Sequence, residues 1–320
     1  MNEWYRACDK AANILKDRVP PVYRSRTFPG ILGDIKALSS KKALSLINRK
    51  KGIGTQYAFL YLTCGIGSGQ GYQACAAEAL KSVFVNNHSD IFGVNILDVG
   101  CAVGVTAGVM GLENVTGFDL FPDLLRAAQL VDSYAGVRNN YTVADMTRFW
   151  PFERMFDTVV CGLVCHHLKK QSDIITFFSQ ANRVLVQDGW LVITLPSGSV
   201  STGLQFSNLT NALEGFGFRV YRNLSGIVLS TDSTHSLFWM FVITANKVSE
   251  ATPPDFINSR FGFPDYRTPV SREEKGVQVK MTADSRRKVK HEHFTLIGMN
   301  ELLNTHAETI LTYPNVSELI

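Results

Sequence analysis

The residues with the clearest chemical signature lie between Asn95 and Gly104, in the sequence Asn-Ile-Leu-Asp-Val-Gly-Cys-Ala-Val-Gly. An apolar run ends at Asp98 and is followed by a turn that carries Gly100, Ala102 and Gly104. Small residues let a backbone approach a ligand closely. A carboxylate at this point would repel a pyrophosphate, but it would bind a cationic amino-acid group. The segment therefore favours S-adenosyl-L-methionine as the cofactor over NAD.

The elements that must position this turn follow from the hydrophobic pattern between residues 94 and 247. Short apolar runs alternate there with amphipathic helices, which predicts an α/β fold with a doubly wound, mostly parallel seven-stranded sheet. Helices are expected to begin at Pro122 and near Ser172. No convincing crossover helix separates the last two strands, so the last strand should run antiparallel. The predicted strands are Val94–Val99, Val115–Asp119, Tyr141–Ala144, Thr158–Val164, Trp190–Leu195, Phe218–Tyr221 and Leu237–Thr244.

The pattern divides the chain into three regions. Residues 1–90 are predicted to form a basic, mostly helical N-terminal extension or lid, and residues 91–247 the cofactor-binding domain. Residues 248–320 contain Pro253-Pro254 and a charged stretch, and are predicted to form an irregular, partly disordered C-terminal extension. The longest apolar stretch, Leu237 to Ala245, is shorter than the ~18 residues of a membrane span. Six cysteines without paired spacing favour reduced thiols. We expect an intracellular protein, cytoplasmic in the simplest case, with a nuclear or organellar location left open.

Four segments, covering about residues 94–247, resemble the class I S-adenosylmethionine-dependent methyltransferases. The first is the turn at Asp98, and the second is Val-Thr-Gly-Phe-Asp-Leu, which ends a strand at Asp119. The third is Val-Ala-Asp-Met at residues 143–146. The fourth is Phe-Asp-Thr-Val-Val-Cys-Gly-Leu-Val-Cys-His-His-Leu, followed by Asn-Arg-Val-Leu-Val-Gln-Asp-Gly-Trp-Leu-Val-Ile. The chain departs from the family at Ala102, where glycine is more common.

The resemblance implies a cofactor-binding role for residues at four successive strand ends, where ligands bind to such sheets. Asp98 would meet the ammonium group, Asp119 the two ribose hydroxyls, and Asp145 the adenine amino group. Leu120 would pack on the adenine, and Met146 would offer it backbone contacts. The remaining residues would bring their backbone close to the amino-acid end of the cofactor: Gly100, Cys101, Ala102, Gly104, Cys161 and Gly162.

Each of these residues also has a purely structural explanation. The glycine turn could only pack a helix against a strand, Asp119 could cap the helix at Pro122, and Asp145 could be a turn residue. A second glycine-rich loop, at residues 65–71, lacks the Gly-Lys-Ser/Thr ending of a phosphate-binding loop. In the family, the segment before the first motif often covers the cofactor, so Gln56, Tyr57 and Gln70 are candidates to contact it.

Catalysis in this family is an in-line displacement that depends mainly on alignment of the acceptor. His166 and His167 follow the fourth strand on the expected acceptor side, where either could act as general base, or could instead pack or cap. A metal site formed by these histidines with Cys161 and Cys165 is not expected. Four residues of extended strand would separate the two cysteines by ~13 Å, unless the strand has already ended.

The charge distribution bears on the methyl acceptor. Residues 1–60 hold 12 Lys/Arg against 4 Asp/Glu, and residues 272–291 hold 7 against 3, so the remainder is acidic within a net charge of +4. Basic flanks favour an RNA acceptor, such as a cap or structured RNA, although such runs are commonly solvated faces. The alternatives are a small-molecule acceptor and an inactive cofactor-binding module for regulation or assembly. Either extension could bind a protein partner.

Overall fold

The structure is a computed structural model that describes residues 3–24, 45, 52–69, 71–85, 88–168, 170–196, 212–230, 239–251 and 294–298. Seven α-helices and one π-helix have both ends within these residues, and Ser45 and residues 212–215 are also helical. The α-helices are α1 (Glu3–Arg18), α2 (Ile53–Leu60), α3 (Tyr72–Val83), α4 (His88–Ile91), α5 (Val105–Met110), α6 (Pro122–Ala135) and α7 (Gln171–Val184). The π-helix, Tyr61–Ile66, continues directly from α2.

Nine strands are found in the described part of the chain, and they form one sheet. They are β1 (Ile96–Val99), β2 (Val115–Asp119), β3 (Asn140–Val143), β4 (Phe156–Gly162), β5 (Leu185–Pro196), β6 (Phe218–Val220), β7 (Gly226–Ser230), β8 (Trp239–Lys247) and β9 (Phe294–Gly298). The order is β3-β2-β1-β4-β5-β8-β7-β9, and β6 also pairs with β8. Strands β1 to β5 are parallel, and β8 is antiparallel to β5, β6 and β7. The predicted doubly wound fold with an antiparallel last strand is confirmed.

Two strands were not predicted. The sixth strand position is split into β6 and β7 by a short 3-10 helix, Arg222–Leu224, and both pieces pair with β8. Strand β9 comes from the region predicted as a C-terminal extension, and it adds an antiparallel edge to β7.

Strand β5 begins five residues earlier than predicted, directly after α7. Leu185 pairs with Phe156, whereas Trp190 pairs with Thr158, so β5 contains a bulge of several residues. The predicted Asp188-Gly189 turn lies within this bulge, and Asp188 has a left-handed backbone with φ of 62°.

The two faces of the sheet are covered by different helices. Leu97, Val159 and Ile193 pack in one apolar cluster with residues of α7. Their neighbours Ile96, Val160 and Val192 pack on the other face with residues of α3 and α5. Alternate residues of one strand thus face opposite layers, as expected for a buried parallel sheet.

The N-terminal helices pack against the glycine-rich turn. A third apolar cluster joins residues of α1, α2 and the π-helix to Ala102, Val103 and Val105, as well as to α6. Trp4 of α1 lies so close to Gly108 of α5 that a Cβ there would be 2.0 Å from the indole nitrogen. This packing brings residues 53–66 over the carboxyl ends of β1 and β2. The predicted division into regions at residues 90 and 247 stays a prediction.

Candidate cofactor site

The turn after β1 adopts a backbone that favours glycine at three positions. Gly100, Ala102 and Gly104 have φ angles of 69°, 48° and 77°. The amides of Gly100 and Cys101 donate to the Phe118 carbonyl of β2 at 2.8 and 3.1 Å, which fixes the turn to the neighbouring strand. The turn therefore requires the left-handed conformations that the glycines supply.

The space around the glycines is limited by the protein itself. A Cβ at Gly100 would lie 2.7 Å from two methyl groups of Val164, and one at Gly104 would lie 2.8 Å from the Tyr141 hydroxyl. Val164 belongs to the turn after β4, so the two turns are in direct contact. Close packing between the turns therefore explains Gly100, in addition to any approach by a ligand.

Asp119 is held by the glycine turn and by the start of α6. Its Oδ2 accepts a hydrogen bond from the Ala102 amide at 3.0 Å, and its Oδ1 accepts one from the Phe121 amide at 2.9 Å. Burial raises the pKa of Asp119 to about 6, while the backbone donors partly offset this. Asp119 does not cap α6, whose N-cap residue is Phe121 without a side-chain cap, but it accepts the Phe121 amide just before the helix. Its carboxylate oxygens can accept further hydrogen bonds from a ligand.

Asp98 is the most unusual polar group of the site. It is buried at the end of β1, and its Oδ2 has no hydrogen-bond partner. Burial, and then the negative charge of Asp119, raise its pKa to about 7. None of the ion pairs within the described ranges involves Asp98 or Asp119. A buried carboxylate oxygen without a donor is costly, so the site is suited to a cationic ligand group.

Two tyrosines lie over these acids. Tyr57 of α2 packs edge-on against Phe121, with ring centroids 5.9 Å apart, and against Tyr61 of the π-helix at 6.2 Å. Burial raises the pKa of both hydroxyls, and the charge of Asp119 raises them further. Gln56, the second candidate, is buried on α2, whereas Gln70 lies outside the described residues. Tyr61 was not predicted, although its position four residues after Tyr57 places both on one helical face.

Asp145 follows β3 and forms a local turn. Its Oδ1 accepts hydrogen bonds from the amide and hydroxyl of Thr147 at 2.9 and 2.7 Å, and Arg148 lies 3.6 Å from its Oδ2. The carbonyl of Met146 accepts a hydrogen bond from the Trp150 indole at 3.2 Å. The turn role considered for Asp145 is therefore present, and Leu120, Asp145 and Met146 are all partly exposed near the ends of β2 and β3.

The turn after β4 corrects the predicted cysteine separation. The strand ends at Gly162, and Leu163 has a left-handed φ of 56° with its amide donating to the carbonyl and hydroxyl of Thr194. The chain then reverses, which brings the sulfur atoms of Cys161 and Cys165 to 3.3 Å from each other. The ~13 Å expected for a continuous strand is thus wrong. No group of three or more metal-binding side chains occurs within the described ranges.

His166 and His167 lie on the 3-10 helix Cys165–His167, which follows this turn. Their ring centroids are 3.9 Å apart. His166 is buried, whereas His167 is partly exposed. The exposed ring is the one that an acceptor could reach from solvent.

Comparison with known proteins identifies the domain that contains these turns. A family model described as a methyltransferase domain matches residues 97–193, the range from β1 to β5. Residues 97–193 therefore match a methyltransferase domain, and this match supports assignment of the region to the class I S-adenosylmethionine-dependent methyltransferase family. S-adenosyl-L-methionine is the cofactor of this family, and the unpartnered acid at the tip of β1 fits its ammonium group.

Curated relatives match this chain over about a third of its length. The ubiquinone biosynthesis O-methyltransferase of Chromobacterium violaceum is 32% identical over 121 residues, which cover 32% of this chain and 51% of the relative. The enzyme of the same name from Rickettsia prowazekii is 31% identical over 93 residues, covering 28% and 35%. The chain thus spans about half or less of the length of these relatives.

One solved structure that the comparison matched to this chain is phosphoethanolamine N-methyltransferase 1 of Haemonchus contortus, in complex with phosphoethanolamine and S-adenosylhomocysteine. It is 14% identical, with a TM-score of 0.49 over 69% of this chain and 53% of that one.

Within the described part of the chain, no helix is long and apolar enough to cross a bilayer.

Proposed function

We propose that this protein transfers the methyl group of S-adenosylmethionine to a small-molecule acceptor. The observation that carries the proposal is the buried Asp98 carboxylate, whose Oδ2 has no donor and whose neighbour Asp119 is a second buried acid. When bound, the cofactor supplies a methyl group activated by a sulfonium. The role of the chain is to hold it by its two ends and to align an acceptor.

Each end of the cofactor has a set of residues suited to it. Asp98 accepts the ammonium, and the backbone of the left-handed turn lines the amino-acid end. Asp119 accepts the ribose hydroxyls, because its carboxylate is already oriented by the Ala102 and Phe121 amides. The adenine lies between the ends of β2 and β3. The residues assigned to these contacts are Asp98, Gly100, Cys101, Ala102, Gly104, Asp119, Leu120, Asp145, Met146, Cys161 and Gly162.

The acceptor class rests on the relatives rather than on the basic flanks. The curated relatives described above are named for O-methylation in ubiquinone biosynthesis, which favours a hydroxyl on a small molecule. The RNA acceptor expected from charge receives no support from these comparisons. The basic segment at residues 272–291 lies outside the described residues. A hydroxyl acceptor must lose a proton, and the partly exposed His167 is the better placed of the two histidines to accept it.

Two linked measurements test the proposal. Isothermal titration calorimetry should show S-adenosylmethionine binding to the wild type and much weaker binding to Asp98→Asn. Asp188→Asn, an exposed acid in the β5 bulge, is the matched control and should bind normally. No binding to the wild type would contradict the proposal.

The second measurement identifies the acceptor. Tritiated cofactor should label the small-molecule fraction of a cell extract, and the labelled product should resist ribonuclease. Label in RNA, with binding that weakens as salt rises, would replace the proposed acceptor with RNA. Cofactor binding without transfer to any fraction would identify a binding module instead of an enzyme.

A further inference from the structure

Tyr61 lies near the two acids that hold opposite ends of the proposed cofactor, since the charges of both act on its hydroxyl. A chain of contacts fixes its position: the Phe121 amide donates to Asp119, the Phe121 ring packs on Tyr57, and Tyr57 packs edge-on against Tyr61. Tyr61 also packs on the apolar cluster that contains Ala102 of the glycine turn. The ring is therefore packed beside the glycine turn that follows β1.

Electrostatic effects agree with this position. The pKa of the Tyr61 hydroxyl is raised first by burial and then by the charges of Tyr57, Asp119 and Asp98, with a smaller contribution from Cys101. Both acids therefore act on one side chain, although they belong to β1 and β2. The hydroxyl stays protonated at neutral pH, so Tyr61 is unsuited to act as a base.

The covalent structure of the cofactor defines what lies between the acids. The sulfur is bonded on one side to the carbon chain that carries the ammonium, and on the other to the ribose. If Asp98 holds the ammonium and Asp119 the ribose, the sulfonium lies between them, beside Tyr61. This step rests on the proposed function, since it uses the proposed contacts at both ends.

We infer that the aromatic ring of Tyr61 distinguishes S-adenosylmethionine from S-adenosylhomocysteine by contact with the cationic sulfonium, with Tyr57 holding the ring in position. The reaction breaks the bond between sulfur and methyl and forms one between methyl and acceptor oxygen. The sulfur keeps the bonding electron pair and becomes a neutral thioether, and the acceptor proton passes to a base. The attraction between a ring face and a cation is lost at that moment. Tyr61 therefore favours the cofactor over the spent product.

The test compares dissociation constants for the two ligands, measured by calorimetry on the full chain. Tyr61→Leu should weaken S-adenosylmethionine binding about tenfold, the value of a desolvated cation–π contact. Binding of S-adenosylhomocysteine should change by no more than about twofold. Tyr61→Phe keeps the ring and should retain the wild-type ratio. Tyr134→Leu, at an exposed tyrosine of α6, is the matched control and should alter neither constant.

The outcomes separate this inference from the proposed function. Equal weakening of both ligands in Tyr61→Leu would mean that the ring only packs, and would overturn the inference while leaving the proposed function intact. Loss of the ratio in Tyr61→Phe would also overturn it, because the hydroxyl would then be the discriminating group. A wild type that binds neither ligand would overturn both. Thermal unfolding should show that all the variants are folded. If leucine disrupts the π-helix, Tyr61→Met provides a second side chain without a ring.

Discussion

The turn after β1 and the turn after β4 touch each other through Gly100 and Val164, yet they differ in chemical character. The first turn joins two buried acids, one of which has an oxygen without a donor. The second is stabilised by Thr194 and contains two buried thiols and two imidazole rings in contact, tilted by 43°. The first turn is therefore suited to a cationic group, whereas the second carries no acidic side chain. In the proposed function, cofactor recognition would depend mainly on the first turn, and the second would lie on the acceptor side.

The largest effect is expected from a substitution in the second turn that leaves the first turn unchanged. His167→Gln should lower the methyl-transfer rate at least about 100-fold, since a general base contributes roughly that much or more. The affinity for S-adenosylmethionine should stay unchanged, because the acids of the first turn are intact. Transfer kinetics and calorimetry on one preparation would check this. An undiminished rate would remove His167 from the catalytic step.

The converse substitution removes the charge of an acid in the first turn. Asp98→Asn should weaken S-adenosylmethionine binding by about 2–3 kcal/mol, the value of a hydrogen-bonded charge pair. The same change removes a buried charge, so the protein without cofactor should be more stable above pH 7. Calorimetry and urea denaturation would detect these opposite effects. Lower affinity together with lower stability would indicate that Asp98 is simply structural.

The acids of the first turn also predict how stability depends on pH. Below about pH 4, the Asp98 carboxyl is protonated in both folded and unfolded chains, so its burial involves no charge. Between pH 4 and its folded pKa of about 7, only the unfolded chain ionises, and stability falls as pH rises. Three pKa units at about 1.4 kcal/mol each set an upper limit of about 4 kcal/mol. Because relaxation of the site lowers this cost, we expect the wild type to lose roughly 2 kcal/mol relative to Asp98→Asn over this range. Parallel stability curves for the two proteins would contradict this.

The contact between the turns can be tested at Gly100. Gly100→Ala should destabilise the fold by about 1–3 kcal/mol, because of its positive φ and its close approach to the Val164 methyl groups. Val164→Ala should recover part of this loss when combined with it, although the backbone penalty remains. Urea denaturation of the four proteins would give the coupling energy. Additive effects would mean that the two turns are independent.

The smallest expected effect concerns Ala102, where the family more often has glycine. Its left-handed φ of 48° is unfavourable for alanine. Ala102→Gly should stabilise the protein by about 0.5–1 kcal/mol, with cofactor affinity unchanged because the amide still donates to Asp119. A rise in melting temperature would support this. A fall would show that the alanine methyl, which is buried in the apolar cluster with α2, contributes more by packing than its backbone costs.

Periodic features were predictable from the sequence, and contacts across turns were not. Alternation of strands and helices predicts the parallel sheet, and strand ends place Asp98 and Asp119 side by side. The left-handed residue at this reversal is Leu163 rather than the adjacent Gly162, so the contact between Cys161 and Cys165 was missed. Tyr61 reaches the acids only because α2 packs on α6, a contact between segments about 60 residues apart. The split of the sixth strand and the added β9 depend on pairing at the edge of the sheet, which the local sequence pattern does not indicate.

The central claim is that the Asp98 carboxylate binds the ammonium group of S-adenosylmethionine. The number of protons released on cofactor binding tests this claim most directly. Calorimetric titrations near pH 6.5, in buffers with different heats of ionisation, measure the number of protons exchanged. The cationic ligand should lower the pKa of Asp98, so we expect net release of a substantial fraction of a proton by the wild type and much less by Asp98→Asn. Binding without proton release in the wild type, or equal release by both proteins, would contradict the account.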